Sequence, residues 1–200
     1  MEKIYHLFKI ADEKTKDGDF LLAIKIYKKI LKLAGKEKKA RHLAHWGMGD
    51  IYLNNRKYRE AAYHLKKAVL IAPEEPIYHY LLGCTYTYMN KIRKAAFYLE
   101  QAIACDDKRD VFWAQLGWVY GYNLDTARGI ECLKKALALN PDNMQAYQDI
   151  AMLYAKNFQF GPALVCIEEA INRYPDKSEF SEIKEQIEFY KKQFEKLQNR

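Results

Sequence analysis

Glycine and proline are scarce in this sequence, nine and five in 200 residues. A chain so poor in turn formers, and rich in Ala, Leu, Lys and Glu, is biased toward helices joined by short connections rather than toward sheets. Long apolar runs are missing as well: no stretch approaches the roughly 18 uncharged apolar residues of a membrane span. The N-terminus, Met1-Glu2-Lys3-Ile4-Tyr5-His6-Leu7-Phe8, carries Glu2 and no small-residue cleavage site, so no secretory signal is expected. Cysteines are few, and Cys84, Cys105, Cys132 and Cys166 form no CxxC pair and have no His at zinc-ligand spacing. They read as reduced thiols of a cytoplasmic protein, with disulfides expected only if the chain is exported.

An even spread of positive charge is also lacking. The net charge is +7, but residues 1–41 hold 12 Lys/Arg against 6 Asp/Glu, whereas residues 42–177 hold 16 against 15. A continuous nucleic-acid-binding stripe along the chain is therefore disfavoured. What is present is a balance of 50% apolar and 30% charged residues, which belongs to a folded chain.

The ordering principle is a period of 34. Gly49, Gly83, Gly117 and Ala151 follow it, as do Tyr52, Tyr86, Tyr120 and Tyr154. Leu65, Leu99, Leu133 and Ile167 keep the same step, followed by Ala68, Ala102, Ala136 and Ala170, and each unit closes on Pro73, Asp107, Pro141 or Pro175. A weaker copy precedes them, with Leu7, Ile10, Ala11, Ala23, Tyr27 and Ile30 in register, and residues 38–41 are a four-residue insertion. Each unit reads as two antiparallel helices, A and B, neither able to bury its apolar face alone. Small residues such as Gly49 on helix A, and Ala61, Ala95, Gly129 and Ala163 on helix B, let the pair approach closely, and the tyrosines wedge neighbouring hairpins apart. Asp17-Gly18-Asp19, Asn54-Asn55-Arg56 and Asn90-Lys91 supply A–B turns. The fourth unit departs from this with Asn123-Leu124-Asp125-Thr126 and Gly129. Its helix B is expected to begin late or fray, since Gly costs about 1 kcal/mol in a helix interior. After Pro175, the residues Phe180, Ile183, Ile187, Tyr190, Phe194 and Leu197 form the stripe of one amphipathic helix, a terminal cap or a surface for pairing with a second copy.

This pattern resembles the tetratricopeptide-repeat family, with its best single match at Trp113-x2-Leu116-Gly117-x2-Tyr120. The resemblance covers nearly the whole chain. It implies an all-α, right-handed superhelical solenoid of about five hairpins plus a C-terminal capping helix, in one domain spanning 1–200. The repeats would be about 4–37, 42–75, 76–109, 110–143 and 144–177, with the cap at about 178–198. It further implies a non-enzymatic adaptor, scaffold or chaperone-like module that holds a peptide segment of a partner protein on a concave face lined by the A helices.

Carried over by position, that face comprises Trp46, Asp50 and Asn54 in the second unit and Tyr80, Cys84, Thr87 and Tyr88 in the third. The fourth offers Ala114, Trp118, Gly121 and Tyr122, and the fifth Gln145, Gln148, Met152 and Lys156. Tyr5, Phe8 and Asp12 are the first-unit equivalents. Trp46, Tyr80, Tyr88, Trp118 and Tyr122 are not required by the repeat's own packing. They are expected as binding anchors for an extended or helical apolar segment, the alternative being that curvature buries them. The Lys/Asn/Arg clamp with which some relatives grip a C-terminal carboxylate is not visible, its positions being held by residues such as Trp46, Gly47, Ile77 and Leu81.

No cofactor, metal or catalytic residue is expected. His42 and His45 lie three apart without a third ligand, and Cys84 has only His79 and Asp50 as candidate neighbours, short of an oriented nucleophile and base. The run Lys25, Lys28, Lys29, Lys32, Lys36, Lys38, Lys39 and Arg41 reads as a solvated end, with anionic lipid, nucleic acid or an acidic partner as the alternative; nucleic acid and membrane are disfavoured as partners. A self-assembling scaffold and a nucleic-acid-binding solenoid are the rival functions.

Overall fold

In the computed structural model, residues 2–123 and 125–198 are described, and among them helices are the only regular secondary structure. Five hairpins pair α1 (Glu2–Lys16) with α2 (Phe20–Ala34), α3 (Lys38–Asn54) with α4 (Tyr58–Ile71), α5 (Pro76–Tyr88) with α6 (Ile92–Cys105), α7 (Asp110–Asn123) with α8 (Thr126–Leu139), and α9 (Met144–Lys156) with α10 (Phe160–Arg173). A last helix, α11 (Ser178–Gln198), packs on α10 and α9. Contacts divide the chain into two compact units, Met1–Asp106 and Asp107–Arg200.

In the first unit the core is built from small and branched residues facing inward. Ala11, Ala23, Ile30, Ala44, Met48 and Ile51 are buried together, and Tyr52 packs against them from α3. Tyr52 also stacks on His64 of α4, as Tyr86 of α5 stacks on Tyr98 of α6, with ring centroids 5.5 Å apart in both. The tyrosine wedge thus has a ring partner on its own hairpin, a contact repeated at the 34-residue step. The insertion at 38–41 does not form a loop. It adds one turn to the N-terminus of α3, which Glu37 caps by accepting from the Ala40 amide at 3.3 Å. Four residues are close to one helical turn, so the apolar face keeps its direction.

Every described A–B turn places one residue in the left-handed region at the same step: Gly18 (φ 79°), Arg56 (58°), Asn90 (55°) and Phe158 (58°). Leu124, at the corresponding place, lies outside the described residues. Gly and Asn are at ease there, whereas Arg56 and Phe158 carry a Cβ penalty of roughly 1–2 kcal/mol that the surrounding packing must offset. The B helices end at Ile71, Cys105, Leu139 and Arg173, one period apart. The third hairpin stops in phase although Asp107 replaces the proline, so the missing amide donor is not the sole terminator.

The second unit corrects one expectation. α8 starts on time, at Thr126, with Asp125 accepting from the Arg128 amide at 3.1 Å, and it runs 14 residues like α10. Gly129 is a packing requirement rather than a weak point. A Cβ built there would lie 2.3 Å from the Gly121 Cα and 2.4 Å from its amide nitrogen, so the two helix backbones touch at a pair of glycines. Helix propensity is lost there to closer packing. Phe180 and Ile187 of α11 are fully buried against Tyr147, Ala151, Phe160, Ala163 and Ile167, closing the hydrophobic face that α9 and α10 leave open.

Candidate functional site

One cleft in each unit draws on shared repeat positions around the A–B turn and at Tyr88 or Tyr190, while Tyr80, Leu81 and Cys84 have no counterpart in the second. In the first unit, Leu53 and Asn54 at the end of α3, Arg56 in the left-handed turn and Tyr58 opening α4 form one wall. Tyr80, Leu81, Cys84 and Tyr88 of α5 form the other, around a volume of about 560 Å³. Tyr58 and Tyr88 stack face to face across it, centroids 5.2 Å apart and planes 12° from parallel. The expected residues Asn54, Tyr80, Cys84 and Tyr88 are thus brought together. Burial pushes the Cys84 thiol up to about 12, so it is neutral at ordinary pH and behaves as an apolar wall.

Trp46 and Asp50 stand apart from this cleft. Trp46 is half-buried and packs on Tyr78 and the cluster it forms with Ala68 and Ala72, with its indole nitrogen buried and unpaired among the described residues. Asp50 is half-buried, and desolvation raises its carboxyl above the usual carboxylate range despite a hydrogen bond from Asn54. Asp12, the first-unit equivalent, accepts from the Tyr27 hydroxyl at 2.8 Å. The His42 and His45 rings are each paired: His42 Nδ1 with the Tyr78 hydroxyl at 2.7 Å, and His45 Nδ1 with His64 Nδ1 at 3.0 Å.

In the second unit, Ala155 and Lys156 end α9, Phe158 occupies the left-handed turn and Phe160 opens α10. Here α11 stands where the next A helix would, presenting Tyr190, Gln193, Phe194 and Leu197, while Tyr122 and Met152 complete a cleft of about 460 Å³. Phe158 and Phe194 stack at 4.7 Å, so the strained turn aims an aromatic ring at the capping helix. Three residues named for the groove or its neighbourhood (Tyr122, Met152, Lys156) and three named for self-pairing (Tyr190, Phe194, Leu197) meet in one place. Phe180 and Ile187 have no exposed surface, and Ile183 packs against the same core. Trp118 is 37% exposed beside Tyr122, at 5.5 Å, but does not line the cleft. The Tyr122 hydroxyl donates to buried Asp149 at 3.4 Å, and Gln145 donates to the same oxygen at 3.3 Å.

Each cleft is lined by one cation, Arg56 or Lys156, and by no acid. Tyr58, Phe158 and Phe160 escaped the sequence reading, which carried over only A-helix positions. A signal existed: Tyr58 and Phe160, Arg56 and Phe158, and Tyr88 and Tyr190 are each separated by three 34-residue steps. No group of three or more potential metal ligands occurs among the described residues. Among them, too, no helix is long and apolar enough to cross a membrane.

Family models described as tetratricopeptide repeat match residues 8–76, 77–108 and 111–143. No curated protein matches the sequence. Among solved structures, one of MamA is 26% identical with a TM-score of 0.77, covering 85% of this chain and 97% of its own. YrrB, described as having an unusual peptide-binding site, is 20% identical with a TM-score of 0.76 and 90% of each chain covered. A tetratricopeptide repeat protein from Parabacteroides merdae is 15% identical with a TM-score of 0.83, covering 95% of this chain and 74% of its own.

Proposed function

Because the chain belongs to the tetratricopeptide-repeat family, whose repeats serve protein interaction, we propose that it binds a peptide segment of a partner protein in the two aromatic clefts. The observation that carries this reading is the recurrence of the cleft. The same repeat positions supply aromatic rings to both clefts, Tyr58 with Phe160 and Tyr88 with Tyr190, and each lining holds one cation and no acid, Arg56 in one and, from a different repeat position, Lys156 in the other. Tyr88, stacked yet 64% exposed, and Leu197, 69% exposed, present rigid or apolar surface that the fold itself leaves uncovered.

The partner segment this chemistry selects has a large apolar or aromatic side chain for the cleft and an adjacent Asp or Glu to meet Arg56 or Lys156. YrrB, a fold neighbour described by its peptide-binding site, is consistent with such use of the scaffold. Self-assembly through α11 is less well supported, since Phe180 and Ile187 are committed to the chain's own core.

Panning a random-peptide library on the protein tests the proposal. Selected peptides are expected to pair aromatic or large aliphatic residues with acids, and Lys156→Glu is expected to switch the preferred flank from acidic to basic in peptides held by the second unit. Tyr88→Ala should weaken first-unit peptides at least tenfold with helical circular dichroism unchanged. Enrichment of no peptide class, or affinities indifferent to both substitutions, would sink the reading.

A further inference from the structure

Net positive charge in the first unit is concentrated on its B helices: α2, α4 and α6 hold nine Lys/Arg against two Asp/Glu, whereas α1, α3 and α5 hold seven against four. α2 carries Lys25, Lys28, Lys29 and Lys32, all exposed, with no acidic residue anywhere on the helix and no ion pair to these lysines among the described residues. Their spacing of three, one and three residues places them on one helical face. α4 adds Arg59, Lys66 and Lys67, and α6 adds Arg93 and Lys94, all exposed. Against them these two helices expose a single acid, Glu60, Glu100 being half-buried.

The three helices present these cations on a common side. Lys28 of α2 acts electrostatically on His64 of α4. Lys66 of α4 and Lys94 of α6 both lie over the Tyr86 ring, 5.7 and 5.9 Å from its centroid. The same surface exposes large apolar side chains between the cations: Leu21 (81% exposed) and Leu33 on α2, Tyr63 and Leu70 (75%) on α4, and Phe97 on α6. Lys67 arches over the Tyr63 ring at 5.8 Å. In the second unit the B helices carry both signs, with Lys135 paired to Glu131, Glu168 to Lys184 and Arg173 to Asp142.

We propose that the B-helix face of the first unit docks on an anionic lipid bilayer. Lysines and arginines meet the phosphate headgroups, while Leu21, Leu70, Tyr63 and Phe97 enter the headgroup–acyl boundary. This sets aside the reading of the lysine run as a solvated end, and with it the expectation that membrane is disfavoured. Nucleic acid would use the same cations, but it offers no partner for exposed leucines, whereas the interface of a bilayer takes both kinds of side chain. With no membrane-spanning helix among the described residues, the association is peripheral and reversible.

Sedimentation of the full chain with phosphatidylcholine vesicles, with and without about 30% phosphatidylglycerol, tests this, each lysine near such a surface being worth roughly a fivefold factor in partitioning. Binding is expected to the anionic vesicles alone, and to fade as salt shortens the Debye length. Replacing Lys25, Lys28, Lys29 and Lys32 with Gln should lower partitioning by roughly several hundredfold. Leu70→Ser should lower it several-fold at unchanged salt dependence, and Lys134→Gln with Lys135→Gln in α8 should leave it unaltered. All the replaced residues are exposed, and circular dichroism verifies folding. No binding to anionic vesicles at low salt overturns the proposal. So does equal loss from the α8 variant, or retention on polyuridine RNA without retention on vesicles.

Discussion

Replacing Gly129 with Ala opposes two effects of known size. Helix propensity favours Ala over Gly in a helix interior by about 1 kcal/mol. The added Cβ, however, would meet the Gly121 Cα at 2.3 Å, its amide nitrogen at 2.4 Å and the Gly117 carbonyl oxygen at 2.8 Å. These are backbone atoms of α7 that cannot swing aside as a side chain would. Reaching an ordinary contact of about 3.5–4 Å requires α7 and α8 to part by more than 1 Å, opening gaps around Leu133, which fills the same seam. Overpacking of this kind costs about 1–3 kcal/mol, with the upper end apt where backbone must move. The net expectation is a loss of about 2 kcal/mol, a fall in Tm of roughly 4–8 °C for a chain of this size. Thermal and urea melts followed by circular dichroism measure it. Gly161→Ala is the paired control: nothing lies within 4 Å of a Cβ added there, so it should be neutral or stabilising by up to about 1 kcal/mol. If Gly129→Ala melts at or above the native temperature, propensity governs the fourth hairpin and the glycine-to-glycine contact does not hold it together.

Two further outcomes follow from packing and charge. Burial, then the neighbouring His64, lowers His45 from 6.5 to about 4, and His64 is lowered too, so the folded pair resists protonation more than the unfolded chain does. The stability this represents is complete above about pH 6.5 and is lost as pH falls toward 4, by something on the order of 3 kcal/mol; urea midpoints at pH 7 and 4.5 should converge in His45→Phe relative to the native chain. Phe180→Ala, at a fully buried site, should cost about 3–5 kcal/mol, whereas Leu197→Ala on the same helix should stay within about 0.5 kcal/mol; similar losses at both would refute the division of α11 into a core half and a cleft half.

The hairpin order was legible because each hairpin restates the same demand at one spacing. Small residues such as Gly49 and Gly83 allow close approach, a tyrosine such as Tyr52 fills the wedge, and Leu65 or Leu99 seals the seam. These requirements are local to a hairpin and its neighbour, so the period of 34 carries them. The same logic identified Asn54, Tyr80, Cys84, Tyr88, Tyr122 and Met152, which do line clefts. Trp46 instead packs on Tyr78, the stated alternative for the aromatics, and at Gly129 the close approach named from the repeat outweighs the average helix propensity that predicted fraying.

By itself the sequence determined the all-helical class, the hairpin spacing and the amphipathic terminal helix, because periodicity and turn chemistry act between residues close in the chain. Only the tertiary structure decided that α11 stands in for a sixth A helix, that Phe158 turns its ring toward Phe194, and that the first unit's cations share one face with exposed leucines. Those outcomes depend on which helices meet and on how closely they approach. Such relations join residues tens of positions apart, and no local pattern encodes them.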